Sequence, residues 1–291
     1  MAEITAALVK TLRDKTNAPM GKCKKALEET GGDVDKAVDL LRAQDPKMKA
    51  GDEHQAAEGM VAIAVAPDGK GAALVRLLCE TDFAARSENF KKLVDVVTRE
   101  VLASKVTTVE AAKELPAVKK EMQEAAALTI RENLQLDRAE FKAVQGDGRV
   151  ATYVHHTGQV GVAVAVTAPA GVAGKPELEA ALRDIAMHAT AHDPAPVAVD
   201  RDGVPADLVA RERAVYMKQI EENPADAKKP ENIKEKMIDG KMRRFYEERV
   251  LLEQKFVKDP EVSIRQLLER TGKALGGDVQ VAWFVRLAVK G

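Results

Sequence analysis

Four stretches of the chain bring together residue types that can do chemistry. His188 and His192 stand four apart with Asp193 alongside, the spacing of two metal ligands on one helical face. Gly171-Val172-Ala173-Gly174-Lys175-Pro176 has the glycines and the lysine of a phosphate loop. Cys79 and His155 would supply a thiolate and its base if the fold brought them together. The stretch Cys79-Glu80-Thr81-Asp82-Phe83-Ala84-Ala85-Arg86-Ser87 is of another kind, a polar turn carrying one of only six phenylalanines beside an aspartate. Its chemistry would be recognition: Phe83 either anchors a partner or folds back to plug the core of its own domain.

Each enzymatic reading lacks a component. No glutamate lies between the two histidines in the HExxH manner and no third ligand motif stands out, while His192 near a helix C-terminus has a simpler role in the field of the helix dipole. In the loop at 171–176 the spacing is wrong, and Pro176 stands where a Ser or Thr should hold magnesium. There is no GxGxxG and no GxSxG. The reading is a protein with no catalytic residues, no cofactor and no metal site, with a histidine–cysteine hydrolase as the catalytic alternative.

Composition narrows the partners. The 45 basic and 46 acidic residues nearly cancel, so no bulk basic field points to nucleic acid. Aromatic residues are 3% of the chain, which leaves few platforms for stacking bases. The N-terminal segment lacks the apolar core of a signal peptide, and no apolar run reaches the length of a membrane span, so a cytoplasmic location is expected. Cys23 and Cys79 are far apart and form no CxxC pair, so both are expected to be free thiols.

The elements that would position the turn follow from periodicity. Ile4, Leu8 and Leu12 mark a first helix, Cys23, Ala26 and Leu27 a second, and Val34, Ala37, Val38 and Leu41 a third, with Gly31-Gly32 as a stop and Asp33 as an N-cap. These helices, residues 1–45, are expected to form a partner-binding bundle of the ubiquitin-associated type. Residues 46–58 have no apolar period and read as a linker. Val61, Ile63 and Val65 alternate, Pro67-Asp68-Gly69 turns, and Ala73 to Leu78 returns, predicting a hairpin followed by a helix over about 89–102. The same order recurs from Gly148, with a turn at Thr157-Gly158, a return strand over 160–166 and a helix over about 176–191. Gly148 follows Gly59, and Gly158 follows Gly69, by the same 89 residues, which points to an internal duplication. At that offset Thr81-Asp82-Phe83 becomes Ala170-Gly171-Val172. A residue that merely closes the fold should look alike in both copies, yet valine can also plug a core, so both readings of Phe83 stay open.

Between the copies, 116–133 reads as one long helix and 139–144 as a strand completing the first sheet. Leu208, Val209, Val215, Tyr216 and Ile220 share one helical face and Ile233, Met237 and Phe245 another, a helical hairpin that must dock on the body, on a second copy or on a partner. The expected fold is α+β: the three-helix bundle, then a duplicated core of antiparallel sheets covered by helices, with units at 59–145 and at 146–204 with 249–291, and a hairpin inserted at 205–248.

Taken together the motifs carry a resemblance. Met20-Gly21-Lys22-Cys23-Lys24-Lys25-Ala26-Leu27-Glu28 with Gly31-Gly32-Asp33 resembles the N-terminal signature of bacterial elongation factor Ts, and Cys79-Glu80-Thr81-Asp82-Phe83 is similar to that family's second signature. Tyr153-Val154-His155, Val160-Gly161-Val162, Ile185-Ala186-Met187-His188 and Lys236-Met237-Ile238-Asp239-Gly240-Lys241 extend the match in order over almost the whole chain. The resemblance implies a nucleotide exchange factor for the GTPase elongation factor Tu. It implies that Thr81, Asp82, Phe83 and Ala84 intrude on the GTPase domain and displace its magnesium. It further implies that Arg13 and Met20 of the bundle contact that domain, that His155 lies near the interface, and that the hairpin at 205–248 can make a homodimer or a two-to-two complex. Three departures stand out: Ala84 replaces the usual valine, Gly21 often corresponds to a methionine, and the helical C-terminal module of some members looks absent. The alternative is a non-catalytic adaptor or chaperone-like binder.

Overall fold

A computed structural model describes residues 4–16, 18–44 and 56–290. Helices α1 (Ala6–Thr16), α2 (Met20–Glu29) and α3 (Val34–Gln44) pack around Leu12, Cys23, Leu27, Ala37 and Leu41. Gly31 takes the left-handed φ of 65° that ends α2, and the Asp33 carboxylate accepts the Lys36 N–H at 3.1 Å to start α3. Of the expected linker, residues 46–55 lie outside the described residues and Glu58 already opens a strand.

That strand, β1 (Glu58–Val65), pairs antiparallel with β2 (Gly71–Cys79). Three helices follow, α4 (Asp82–Arg86), α5 (Glu88–Ser104) and α6 (Val109–Lys113), and then α7 (Pro116–Glu124). Strand β3 (Gln135–Ala143) adds to the free side of β2, giving the order β1-β2-β3. The second sheet repeats this plan with β4 (Gly148–Val154) and β5 (Val160–Thr167), after which come α8 (Ala170–Ala173) and α9 (Pro176–Ala191). Its third strand is reached only after α10 (Ala206–Glu222), α11 (Pro224–Ala227), α12 (Glu231–Arg249), a ribbon of β6 (Lys255–Phe256) with β7 (Asp259–Ser263), and α13 (Ile264–Leu275). Strand β8 (Gln280–Ala288) then pairs with β5, in the order β4-β5-β8.

The 89-residue spacing recurs in the backbone. Both middle strands break register at equivalent points, between Arg76 and Leu77 and between Ala165 and Val166. The two units also exchange matching hydrogen bonds, Val61 N–H to Gly158 O and Val150 N–H to Gly69 O, each 2.8 Å. Such reciprocity is what a two-fold relation between like units produces. Gly69 and Gly158 both hold φ at 70°, a conformation that L side chains adopt only with strain.

Strand pleating sorts the core into layers. Leu74, Ala163, Ala165 and Val285 meet between the two sheets. On the far side of the first sheet Ala73, Val75 and Leu77 pack under α5, which buries Phe90, Leu93, Val94, Val97 and Val101. On the far side of the second, Val162, Val164 and Val166 pack under α9 and α13. At about 1.5–3 kcal/mol for each large apolar side chain buried, the α5 face is a main stabiliser of the first unit.

Four expectations need correction. The helix over 116–133 ends early, in a π-helical turn at Ala125–Thr129, where Ile130 and Arg131 N–H both reach Ala125 O and Arg131 takes φ 63°. Strand β3 begins at Gln135 rather than 139, because Asp137 on its polar stretch is neutralised across the ladder by Arg76 at 2.6 Å. A short helix, α6, was not expected; its cap is the Thr108 hydroxyl, which accepts Ala111 N–H at 3.2 Å. In the helical hairpin, Val215 faces solvent, and Ile220, Ile238, Met242 and Phe245 form a core of their own closed by Ala198, Val204 and Val250.

Candidate functional site

The turn after β2 is a capped, one-turn helix rather than an irregular loop. The Thr81 hydroxyl accepts the Ala84 N–H at 3.1 Å and so caps α4, and the Ser87 hydroxyl accepts the Phe90 N–H at 3.2 Å to start α5. Behind it Glu132, on the loop that leads into β3, holds the turn by its carboxylate. One oxygen accepts the N–H groups of Glu80 and Thr81, each at 3.0 Å, and the other accepts the Thr81 hydroxyl at 2.6 Å. Charge-assisted bonds of this kind are the stronger class of hydrogen bond. The turn is therefore fixed at its base while its tip is free.

At that tip Phe83 is 84% exposed, the most exposed large apolar side chain among the described residues. Its counterpart Val172 is 3% exposed and sits in the core of the second unit. The reading of Phe83 as a plug is thereby excluded: the second copy plugs and the first does not. Asp82 stands beside the ring and pairs with Arg86 at 3.2 Å one turn on. Ala84, unlike Asp82 and Phe83 but like Ala85, is buried in the core under α5.

A cleft of about 620 Å³ opens beside the turn, lined by Asp82, Arg86, Glu58, Lys290 and His156. His155 is half-buried, with Nδ1 2.8 Å from the Thr157 hydroxyl of its own turn, so the histidine bordering the cleft is its neighbour. Arg13 and Met20 are exposed on the first bundle.

A profile of the family described as Elongation factor TS matches residues 80–290, beginning at the turn itself. The chain is 38% identical to the elongation factor Ts of a Nitratiruptor species, over 97% of this chain and 92% of that protein. It is 40% identical to that of Nitratidesulfovibrio vulgaris, covering 97% and 94%, and 41% identical to that of Rhizobium johnstonii, covering 99% and 92%. The chain belongs to the elongation factor Ts family.

As a member of the elongation factor Ts family the protein is a translation elongation factor, and its enzyme-like constellations resolve into structure. His188 is fully buried, and its Nδ1 accepts the Val257 N–H at 3.3 Å, which leaves Nε2–H to donate to Gln254 Oε1 at 3.0 Å. Burial pulls its pKa down to about 4, with the Gln254 hydrogen bond opposing and His192 adding a little, so the ring is neutral. His192 stands at the C-cap of α9, the helix end where it was expected, and its Nδ1 lies 2.9 Å from Pro194 O and 3.2 Å from Gln254 Nε2. Among the described residues no cluster of His, Cys, Asp and Glu could hold a metal. Cys79 is buried, donates to Thr81 O at 3.3 Å, and its pKa is pushed up to about 12 by burial and then by the carboxylates of Glu132 and Glu58. A thiol of that kind is no nucleophile. Gly171 to Ala173 lie in the short helix α8, and Lys175 Nζ donates to Leu275 O at 2.9 Å instead of reaching for a phosphate. No described helix is long and apolar enough to cross a membrane.

Sequence reasoning missed Glu132. It lies 51 residues from Thr81 in a polar stretch, and no local pattern links the two. Only the pairing of β3 with β2 brings them together.

Proposed function

We propose that this translation elongation factor is a guanine nucleotide exchange factor for elongation factor Tu, and that Thr81, Asp82 and Phe83 are its working element. The observation that carries the reading is the exposure of Phe83 on a turn fixed from behind, where the duplicated unit buries its equivalent. In the proposed complex Phe83 inserts into the GTPase domain beside the magnesium site. Magnesium bridges a GTPase to its nucleotide's phosphates, so displacing it weakens the charge clamp on GDP. The coupling is reciprocal: a factor that weakens nucleotide binding is itself weakened equally by nucleotide, and so it speeds exchange without choosing GTP over GDP. No group of the factor reacts, and it is not an enzyme in the bond-making sense.

The other assignments are proposals of the same standing. The bundle of α1–α3, of ubiquitin-associated type, contacts the GTPase domain through exposed Arg13 and Met20, and the face bearing His155 and His156 lies toward the partner. The helical hairpin makes the contact if the complex is two-to-two. The units at 59–145 and at 146–204 with 249–291 act as one scaffold in the cytoplasm. Release of labelled GDP from elongation factor Tu tests the whole reading. Acceleration by substoichiometric factor supports it, and tight binding without acceleration would make the protein an adaptor.

A further inference from the structure

We infer that Glu132 is a positioning residue for exchange, holding the Thr81–Phe83 turn in the conformation that presents Phe83; this rests on the reading of that turn as the working element. The clamp is reciprocal, for while Glu132 takes the N–H groups of Glu80 and Thr81 and the Thr81 hydroxyl, the Glu80 carboxylate accepts the N–H of Asn133 at 3.1 Å. Arg131, just before, holds the left-handed φ of 63° that is uncommon for a side-chain-bearing residue. Such conformations persist where surrounding structure over-determines them, and here they turn Glu132 onto the base of α4.

The internal duplication supplies the control. Along the third strands the offset between copies is 145 residues, since Arg138 opposes Arg76 where Trp283 opposes Ala165. Glu132 therefore corresponds to Gly277, while Glu80 and Thr81 correspond to Pro169 and Ala170. The side chains that make the clamp are missing from the second copy, where Gly277 has none, Pro169 has neither a carboxylate nor an N–H and Ala170 has no hydroxyl; only the backbone N–H groups of Ala170 and Asp278 remain. A Cβ on Gly277 would come within 2.9 Å of both Pro169 and Val172, so the second copy closes tightly where the first is held open. If the clamp served only to join the third strand to the middle one, the second copy would need it too. It does not, and it buries Val172 instead.

A turn that is held arrives at the partner already in its binding conformation. Freed from Glu132 it would populate that conformation only part of the time, and apparent affinity falls by that fraction. The test uses the full chain in four forms: native, Glu132→Ala, Phe83→Ala and the double variant. GDP release from elongation factor Tu is followed at factor concentrations where Phe83→Ala still accelerates release above the spontaneous rate. Glu132→Ala is expected to lower exchange about tenfold, corresponding to a turn competent about a tenth of the time. In the Phe83→Ala background the same substitution is expected to cost much less than in the native chain, because the ring is the main group Glu132 positions and only the contribution of Asp82 is left to lose. Glu132→Gln keeps a carbonyl for the two N–H groups but not an acceptor for the hydroxyl, and should fall between; it carries the same cycle if the alanine variant does not fold. Amide hydrogen exchange at Thr81–Phe83 should quicken while β1 and β2 stay protected. Full exchange activity in folded Glu132→Ala, or effects of the two substitutions that simply multiply, would overturn the inference. An unchanged rate for Phe83→Ala alone would instead overturn the proposed function.

Discussion

Truncating Phe83 separates the two uses a protein has for a large apolar side chain. In the free molecule the ring is 84% exposed, so Phe83→Ala removes almost no burial and should change stability by no more than about 0.5 kcal/mol. For a domain of this size that is a shift in melting temperature of about 1–2 °C. In the proposed complex the ring is buried in the partner, which is worth about 1.5–3 kcal/mol, or roughly 10- to 150-fold in an equilibrium constant. The assay is release of labelled GDP from elongation factor Tu as a function of factor concentration, with a thermal melt of each preparation. The expected result is a melt that hardly moves and an exchange efficiency lower by one to two orders of magnitude. The reasoning fails if the variant melts as though about 3–5 kcal/mol had been lost, as for a core phenylalanine, while each folded molecule still exchanges normally.

Val172→Ala is the mirror experiment: loss of this buried side chain should cost about 2 kcal/mol and lower the melting temperature by several degrees, with exchange per folded molecule unchanged. Asp82→Ala should reduce exchange and leave the melt alone, because its pairing with Arg86 is solvent-exposed and such pairs contribute about 0.5 kcal/mol or less; a normal exchange rate would remove Asp82 from the working element. His188 is held neutral with a pKa of about 4, below its ordinary value near 6.5, so the stability it contributes is complete above about pH 6.5 and is lost as pH falls toward 4. That amounts to about 3 kcal/mol across the interval, and urea unfolding at pH 7, 5.5 and 4.5 should show a shallower slope for His188→Gln; equal slopes would refute it. Cys79, with its pKa raised to about 12, should resist iodoacetamide at pH 8 until the chain is unfolded by urea, and rapid labelling of the native protein would contradict its burial.

The parts of the fold legible in the sequence were those written in local periods. Alternation of Val61, Ile63 and Val65 located β1, and the equal spacing of Gly59 with Gly148 and Gly69 with Gly158 located the second copy before any contact was known. The parts that were not legible depend on partners distant in sequence. The charges on the first half of β3 argue against a strand until Arg76 of β2 is found to donate to Asp137 at 2.6 Å beside the register break. The end of α7 in a π-helical turn has no composition signal, since Ala125 to Leu128 are all strong helix formers and only Thr129 is a weak one. His188 and His192 were spaced like ligands because both face Gln254, a residue more than sixty positions away. At the site itself, sequence comparison of the two copies marked Asp82 and Phe83 as divergent but left the direction of the ring open, and it gave no hint of Glu132.

That divergence has a physical direction. A unit that keeps a phenylalanine in water forgoes the roughly 1.5–3 kcal/mol its burial would contribute, and a free turn would tend to collapse the ring onto the nearest apolar surface. Collapse is what the second copy displays, with glycine, proline and alanine at the clamp positions and Val172 pressed under Gly277. The first copy resists it with groups that are satisfied only when the turn stands out. The Thr81 N–H and hydroxyl and the Glu80 N–H all point back at one carboxylate, and folding the tip inward would strand a partly buried charge without donors. On the inference made above, Glu132 favours outward presentation of Phe83, whereas the second copy, with Pro169, Ala170 and Gly277 at the matching positions, buries Val172.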